Sequence, residues 1–104
     1  IINDSESAPV TVEKIISEVS RSYNISEADI LSNRREQNIV LARKVAMYIT
    51  REITKLSYKA IGEAFGKDHT TVLYSVQNIE KFLLDKPYEK ELIDDIIKNL
   101  KNSQ

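Results

Sequence analysis

A run of polar residues, Asp68 to Thr71, stands at the start of a segment whose apolar stripe begins only at Val72. A carboxylate such as that of Asp68 can accept a hydrogen bond from the amine of cytosine, and an imidazole such as that of His69 can donate to or accept from a purine edge. The methyl group of a threonine can pack on the methyl group of thymine. These side-chain types are suited to distinguishing base pairs.

A purely structural interpretation of the same residues is also open. An aspartate at the start of a helix commonly accepts a hydrogen bond from a free backbone N–H group, and a histidine in the first turn is often simply exposed. The free N–H groups at such a helix start would also favour a phosphate. The residue types alone leave both interpretations standing.

Basic side chains are concentrated in the centre of the 104-residue chain, whose net charge is −1. Residues 33–78 carry eight basic and four acidic side chains, a net +4, whereas residues 1–32 have a net −4 and residues 79–104 a net −1. Because salt limits the reach of each charge to about 10 Å, a local basic patch can attract phosphate. A solvated helix surface is the alternative. The eight basic residues are Arg34, Arg35, Arg43, Lys44, Arg51, Lys55, Lys59 and Lys67.

The composition excludes several other kinds of site. The absence of cysteine rules out disulfides, thiolate catalysis and cysteine-based zinc sites, and the single histidine, His69, cannot build a His-rich metal site. The segment from Gly62 to Lys67 has three residues between its glycines, where a phosphate-binding loop needs four. No apolar run approaches the roughly 18 residues of a membrane span. We therefore expect no enzyme, no metal site and no membrane segment.

The elements that must position these residues are predicted to be helices, because the chain has only two glycines and two prolines. We expect one domain over residues 11–104, preceded by a polar linker or tail over residues 1–10. Because the first residue is Ile1 and not Met, we expect a fragment of a longer chain. Apolar spacing of three and four residues predicts six helices, at about 12–23, 27–31, 38–54, 58–65, 69–84 and 88–101.

The predicted helix starts are marked by capping residues and the predicted cores by apolar stripes. Gly66 stands where a left-handed residue ends the fourth helix. The predicted N-caps are Thr11, Ser26, Ser57 and Asp68. The predicted buried faces include Leu41, Val45, Tyr48, Ile49 and Ile53 in the third helix, Ile61, Ala64 and Phe65 in the fourth, Val72, Val76, Ile79 and Leu83 in the fifth, and Leu92, Ile93, Ile96, Ile97 and Leu100 in the last.

Residues 57–79 form a short amphipathic helix, a glycine turn and a longer capped helix, which is the helix-turn-helix pattern. In that motif the first residues of the second helix enter the major groove of DNA and meet base edges. Two packed helices with a glycine turn also occur in proteins that do not bind DNA.

The run AIGEAFGKDHTTVLYSVQNI, residues 60–79, resembles the signature of the C-terminal DNA-binding domain of the DnaA family of bacterial replication initiators. The segment ADILSNRREQNIVLARKVAMYITREITKLS, residues 28–57, is similar to the preceding loop and long helix of that family. The resemblance covers about residues 12–83. It implies an all-α, Trp-repressor-like helix-turn-helix domain that recognises a short asymmetric origin element, the DnaA box.

The resemblance also implies roles for individual residues. It implies that Arg35 reaches the minor groove, where an arginine senses groove width and A·T content. Family members often carry a basic pair where Gln77 and Asn78 stand. The implied base contacts in the major groove come from Asp68, His69 and Thr70, with apolar contacts to thymine methyl groups from Thr71 and Leu73. The implied contacts to the DNA backbone come from Arg43, Lys44, Arg51, Ser57 and Tyr58, with a further one from Lys59.

The resemblance implies double-stranded DNA as the partner, a monomeric domain and a bacterial cytoplasmic location at the nucleoid. It implies no cofactor in this fragment, because ATP belongs to a separate ATPase module, and it allows regulatory proteins as further partners. Two other functions stay open. A dimeric transcriptional regulator would prefer palindromic half-sites, and a protein-interaction module without a DNA role could use the last helix, although packing of that helix on the first is the favoured interpretation.

Overall fold

The computed structural model describes residues 10–102, which form six α-helices and no strand. The predicted all-α class is confirmed. The predicted linker over residues 1–10 lies outside the described residues, apart from Val10. The helices are α1 (Val12–Tyr23), α2 (Glu27–Ile30), α3 (Gln37–Thr54), α4 (Tyr58–Phe65), α5 (His69–Asp85) and α6 (Pro87–Asn102).

The four predicted N-caps are confirmed. Each side chain accepts a hydrogen bond from a backbone N–H two or three residues further along, which satisfies one of the free donors at a helix start. The bonds join Thr11 to Lys14, Ser26 to Asp29, Ser57 to Ala60 and Asp68 to Thr70. Gly66 ends α4 with a φ of 67°, as predicted. Pro87 is the first residue of α6 and not only a helix breaker, because its missing N–H is not needed there.

The long helix α3 lies at the centre of the domain and packs against each of the other five helices. It is consequently buried on more than one face. Ala42, Ala46 and Met47 are fully buried in addition to the predicted Val45 and Ile49. The other three residues of the predicted face, Leu41, Tyr48 and Ile53, are partly buried and pack against the edge of the core. A single apolar stripe predicts one buried face, whereas α3 is covered on several sides by the other helices.

The prediction for α4 is wrong at Ala64, which is exposed, whereas Gly62 is buried. The turn after α4 folds back over Gly62, and a Cβ atom on this residue would lie 2.4 Å from the carbonyl oxygen of Lys67. The helix and its turn therefore approach each other at backbone distance. In α5 the predicted stripe is confirmed, with Val72, Val76, Ile79 and Leu83 all buried.

The last helix, α6, packs on α1, α3 and α5. Ile93, Ile96 and Leu100 are buried, whereas Leu92 is 38% exposed, contrary to prediction. Its apolar face is thus occupied by this domain's own core, in agreement with the favoured interpretation of this helix. Within residues 10–102, no helix has both the length and the apolar character that crossing a bilayer demands.

Tyr23, the last residue of α1, has a buried hydroxyl group that finds no hydrogen-bond partner among the described residues. Burial, with a smaller contribution from Glu89, raises the pKa of Tyr23 to about 12. The fold thus disfavours the phenolate. The free energy of unfolding is therefore unaffected by this group below the unfolded-state pKa of about 10. It falls as the pH rises from there through the folded-state pKa, because the unfolded chain loses the Tyr23 proton first.

We expect Tyr23→Phe to flatten this alkaline loss of stability and to leave stability near neutral pH unchanged or slightly higher. The second effect follows because a buried hydroxyl without a partner costs free energy that phenylalanine does not. Urea unfolding of both chains at about pH 7 and about pH 11 measures the difference. A steeper alkaline loss in the variant than in the parent would contradict the role of Tyr23.

Candidate nucleic-acid interface

Residues 68–71, here called the recognition turn, present their polar groups to solvent at the start of α5. Asp68 caps the helix through Oδ2, which accepts from the N–H of Thr70 at 3.3 Å. The Nδ1 atom of His69 lies 3.7 Å from Oδ1 of Asp68, and the two side chains are 65% and 66% exposed. The capping role and exposure coexist, because only one carboxylate oxygen is used for the cap. A large ligand can therefore reach the imidazole and a carboxylate oxygen.

The next residues of α5 alternate between the exposed side of the helix and the core. Thr71 is exposed, and Thr70 and Leu73 are half-buried. Val72 is fully buried. This alternation anchors the first turn of α5 in the core while its polar tip stands free. The arrangement is what a helix needs if its first turn is to enter a groove.

A surface cleft of about 480 Å³ lies beside the recognition turn, between the loop 31–36, α3 and α5. Thr71 belongs both to the recognition turn and to the wall of this cleft. Four cationic side chains line the cleft, and among the described residues that line it there is no carboxylate. We call it the cationic cleft. The four cations are Arg35, Arg43, Lys44 and Lys67.

The adjacent arginines of the loop 31–36 have different surroundings. Arg34 is paired with Asp29, with 3.3 Å between Nη1 and Oδ1, and also with Glu36. Arg35 is exposed, and no ion pair within residues 10–102 includes it. Arg35 is accordingly the member of the pair that remains available to an external anion.

Arg43 does not belong to the predicted apolar stripe of α3, yet it is only 8% exposed. Its Nε donates to the carbonyl oxygen of Ile30 at 2.8 Å, and its Nη2 donates to those of Asp29 at 3.2 Å and Arg34 at 3.0 Å. The last carbonyls of a helix have no partner inside it. Here Arg43 supplies a donor to the carbonyl oxygen of Ile30 and adds one to that of Asp29, which also accepts from Ser32. Burial, together with the charge of Arg35, lowers the pKa of Arg43.

This geometry gives Arg43 an internal function, which is to fasten α2 and the loop 31–36 to α3. A phosphate contact from Arg43 stays a prediction. Any such contact would have to be made by the part of the guanidinium that faces the cationic cleft.

Lys67 was counted among the basic residues but was assigned no role from the sequence. Its Nζ donates to the carbonyl oxygen of Ser32 at 3.1 Å and to Oδ1 of Asn33. Burial, and to a lesser extent the charge of Arg43, lowers the pKa of Lys67. The two partners lie 35 and 34 positions upstream, so no local spacing rule could have revealed them.

Lys44 crosses from α3 to α5, where its Nζ donates to Oδ1 of Asn78 at 2.9 Å. An ammonium group has three donors, so this bond leaves two for a ligand. Asn78 is a further residue that the sequence did not assign. It orients the lysine opposite by accepting this hydrogen bond.

The remaining predicted backbone-contacting residues lie together at the junction of α3 and α4, away from the cationic cleft. Nη1 of Arg51 donates to the carbonyl oxygen of Leu56 at 2.6 Å, and the guanidinium carbon lies 4.5 Å from the ring centroid of Tyr58. Ser57 caps α4, and Lys59 is exposed. The predicted contacts thus fall into three groups: the recognition turn, the cationic cleft and the α3–α4 junction. The described residues bring together no group of three or more histidine or acidic side chains that could hold a metal ion.

Comparison with known proteins gives one consistent result. Residues 12–79 match the family model described as the bacterial dnaA protein helix-turn-helix. The chain is 41% identical over 106 residues to the chromosomal replication initiator protein DnaA of Bartonella quintana, an alignment that covers 100% of this chain and 21% of that protein. It is 43% identical over 96 residues to the DnaA of Thermodesulfovibrio yellowstonii, covering 91% of this chain and 22% of that protein. The chain therefore spans about a fifth of the length of these relatives.

Proposed function

The chain belongs to the bacterial DnaA helix-turn-helix family, and from that premise we propose that it binds double-stranded DNA sequence-specifically at DnaA boxes, the short asymmetric elements of a replication origin. One observation carries the proposal. A recognition turn with an exposed imidazole and an exposed carboxylate stands directly beside a cleft lined by four cations.

This arrangement fits the geometry of a duplex. In B-DNA one sugar-phosphate strand separates the major groove from the adjacent minor groove. With the recognition turn in the major groove and Arg35 in the minor groove, that strand lies in the cationic cleft between them, where Lys44 has donors free for phosphate. Base contacts then come from Asp68, His69 and Thr70, with Thr71 and Leu73 against thymine methyl groups.

The α3–α4 junction meets the opposite strand of the same major groove. Its contributors are the guanidinium of Arg51, the hydroxyl groups of Ser57 and Tyr58, and the ammonium of Lys59. Such contacts set the orientation of a protein on the duplex and carry no sequence information themselves.

The helix-turn-helix domain is not an enzyme and binds no cofactor, and the ATPase module of its full-length relatives is not part of these 104 residues. We propose that the domain binds the origin as a monomer in the bacterial cytoplasm and thereby tethers that module to DNA. We propose that regulatory proteins bind at the end of the domain remote from the recognition turn, where Leu84 in the last turn of α5 is 82% exposed and Tyr88 in the first turn of α6 is 65% exposed.

The proposal is tested by selecting duplexes that bind the 104-residue chain and titrating the selected and random duplexes by fluorescence anisotropy. His69→Ala should cost about 1–3 kcal/mol on the selected duplex and flatten the base preference at one position, because a base contact acts only on the correct sequence. Lys98→Ala, an exposed change on α6, is the matched control and should leave both titrations unchanged. Equal losses for His69→Ala on both duplexes would rule out a base contact.

The same experiment separates the alternative of a dimeric regulator. A dimer protects two symmetric half-sites about one helical turn apart, whereas a monomer protects one asymmetric element. The symmetry of the footprint and the mass of the complex in solution decide between them.

A further inference from the structure

The side chain of Lys67 connects the start of the recognition turn to the loop 31–36. Lys67 immediately precedes the capping residue Asp68, and its Nζ donates to the carbonyl oxygen of Ser32 at 3.1 Å and to Oδ1 of Asn33. These two acceptors lie three and two positions before Arg35. The two parts of the chain that are proposed to enter neighbouring grooves are thus joined directly.

The backbone of Lys67, from which this side chain extends, is itself held against α4. The backbone N–H of Lys67 donates to the carbonyl oxygen of Gly62 at 2.8 Å, and the carbonyl oxygen of Lys67 lies against the Cα of Gly62 closely enough to exclude a side chain there. The lysine therefore projects from a backbone segment that has little room to move.

The loop at the other end depends on such side-chain donors. Residues 32–36 belong to no helix, and no strand pairs with them among the described residues. Arg43 holds the same loop from α3, through the carbonyl oxygen of Arg34 at 3.0 Å. Arg43 secures the loop to α3, and the hydrogen bonds from Lys67 secure it to the segment that leads into the recognition turn.

We infer that Lys67 is a positioning residue that sets the separation between Arg35 and the recognition turn, and with it the register in which the chain contacts adjacent minor and major grooves. The inference rests on the proposed function. Without the bridge, Arg35 must be ordered when DNA binds, and this ordering subtracts from the binding free energy. This loss of binding free energy should be largest for duplexes with a narrow, A·T-rich minor groove, because such a groove favours an arginine.

A direct contact between Lys67 and a phosphate is the rival explanation, and a double-mutant cycle separates the two. The cycle compares the parent chain, Lys67→Met, Arg35→Ala and the double variant on the selected duplex at low and high salt. We expect Lys67→Met to weaken binding about tenfold in the parent and less than about twofold in the Arg35→Ala background, because residues that act through one another are not additive. The salt slope should be unchanged, since a lysine without a phosphate contact releases no counterion.

Equal losses in both backgrounds, together with a salt slope lower by about one unit, would overturn the positioning role in favour of a phosphate contact. Lys98→Met, which removes a charge from α6, controls for the change in net charge. Thermal unfolding of each variant without DNA verifies that the fold is intact.

A second measurement does not depend on DNA. In the free chain, Lys67→Met should lower the NMR order parameters of the backbone amides of residues 33–36 and leave those of α5 unchanged. Unchanged order parameters in the loop would overturn the inference whatever the DNA titrations show. Failure of the parent chain to prefer the selected duplex over random DNA would instead overturn the proposed function, while the loop measurement still decides whether Lys67 holds the loop.

Discussion

Replacing Gly62 with alanine is expected to lower the free energy of unfolding by roughly 2–3 kcal/mol. The new Cβ would lie 2.4 Å from the carbonyl oxygen of Lys67, which is backbone and not the end of a flexible side chain. Moving the turn away from α4 to make room would strain the 2.8 Å bond from the N–H of Lys67 to the carbonyl oxygen of Gly62. Helix propensity alone predicts the opposite sign, since alanine is favoured over glycine by about 1 kcal/mol in a helix.

Urea or thermal unfolding of the isolated chain measures this effect. For a domain of this size we expect the thermal midpoint to fall by about 10 °C. Gly66→Ala is the matched control, because Gly66 has a φ of 67° but nothing within 4 Å of a Cβ atom. That change costs about 1–2 kcal/mol of backbone strain only. If Gly62→Ala proved neutral or stabilising, α4 and the turn would not be in backbone contact.

Arg43→Met is expected to destabilise the chain by roughly 2–4 kcal/mol and to abolish preference for the selected duplex. Methionine fills a similar volume but leaves the carbonyl oxygens of Ile30 and Arg34 without the guanidinium donor, whereas that of Asp29 still accepts from the N–H and the hydroxyl of Ser32. A partly buried acceptor that loses its partner costs about 1–3 kcal/mol, and water can reach part of this loop, so the total is less than the sum. The loop that carries Arg35 is then no longer fixed to α3.

Arg43→Lys distinguishes internal support from a phosphate contact. Lysine keeps the positive charge but lacks the planar fork that reaches several carbonyl oxygens at once. We expect this variant to be nearly as unstable as Arg43→Met in urea without DNA. Parent-like stability in both variants, with a loss of DNA affinity that lysine repairs, would show that Arg43 acts chiefly on phosphate.

Local features of the chain were predictable because their causes lie within a few residues. Each predicted N-cap accepts from an N–H two or three positions away, and Gly66 has its left-handed conformation because the helix ends there. The bounds of α1 and α4 follow from such signals. The composition likewise predicted an all-α domain.

Features that depend on distant partners were not predictable from spacing. Arg43 finds its acceptors in another helix 13 and 14 positions upstream, so its place on α3 suggested an exposed cation. The hydrogen bonds of Lys67 to the loop 31–36 and of Asn78 to Lys44 exist because the fold brings distant segments together. Gly62 is buried and Ala64 is exposed because the turn after α4 covers the side of the helix that carries Gly62. The individual DNA contacts come from the family resemblance and remain predictions.

The cationic cleft has a thermodynamic consequence for the chain on its own. None of the ion pairs within residues 10–102 involves one of its four cations. Arg43, Lys44 and Lys67 donate there to carbonyl, amide and hydroxyl oxygens, which are uncharged. Unneutralised like charges on neighbouring residues repel one another, and this self-repulsion weakens the native state in dilute buffer. Any polyanion that occupies the cleft relieves this repulsion, so heparin or mismatched duplex should raise the melting temperature increasingly as its concentration exceeds its Kd. Relief of the charge repulsion that is present in the free protein therefore contributes to the free energy of binding.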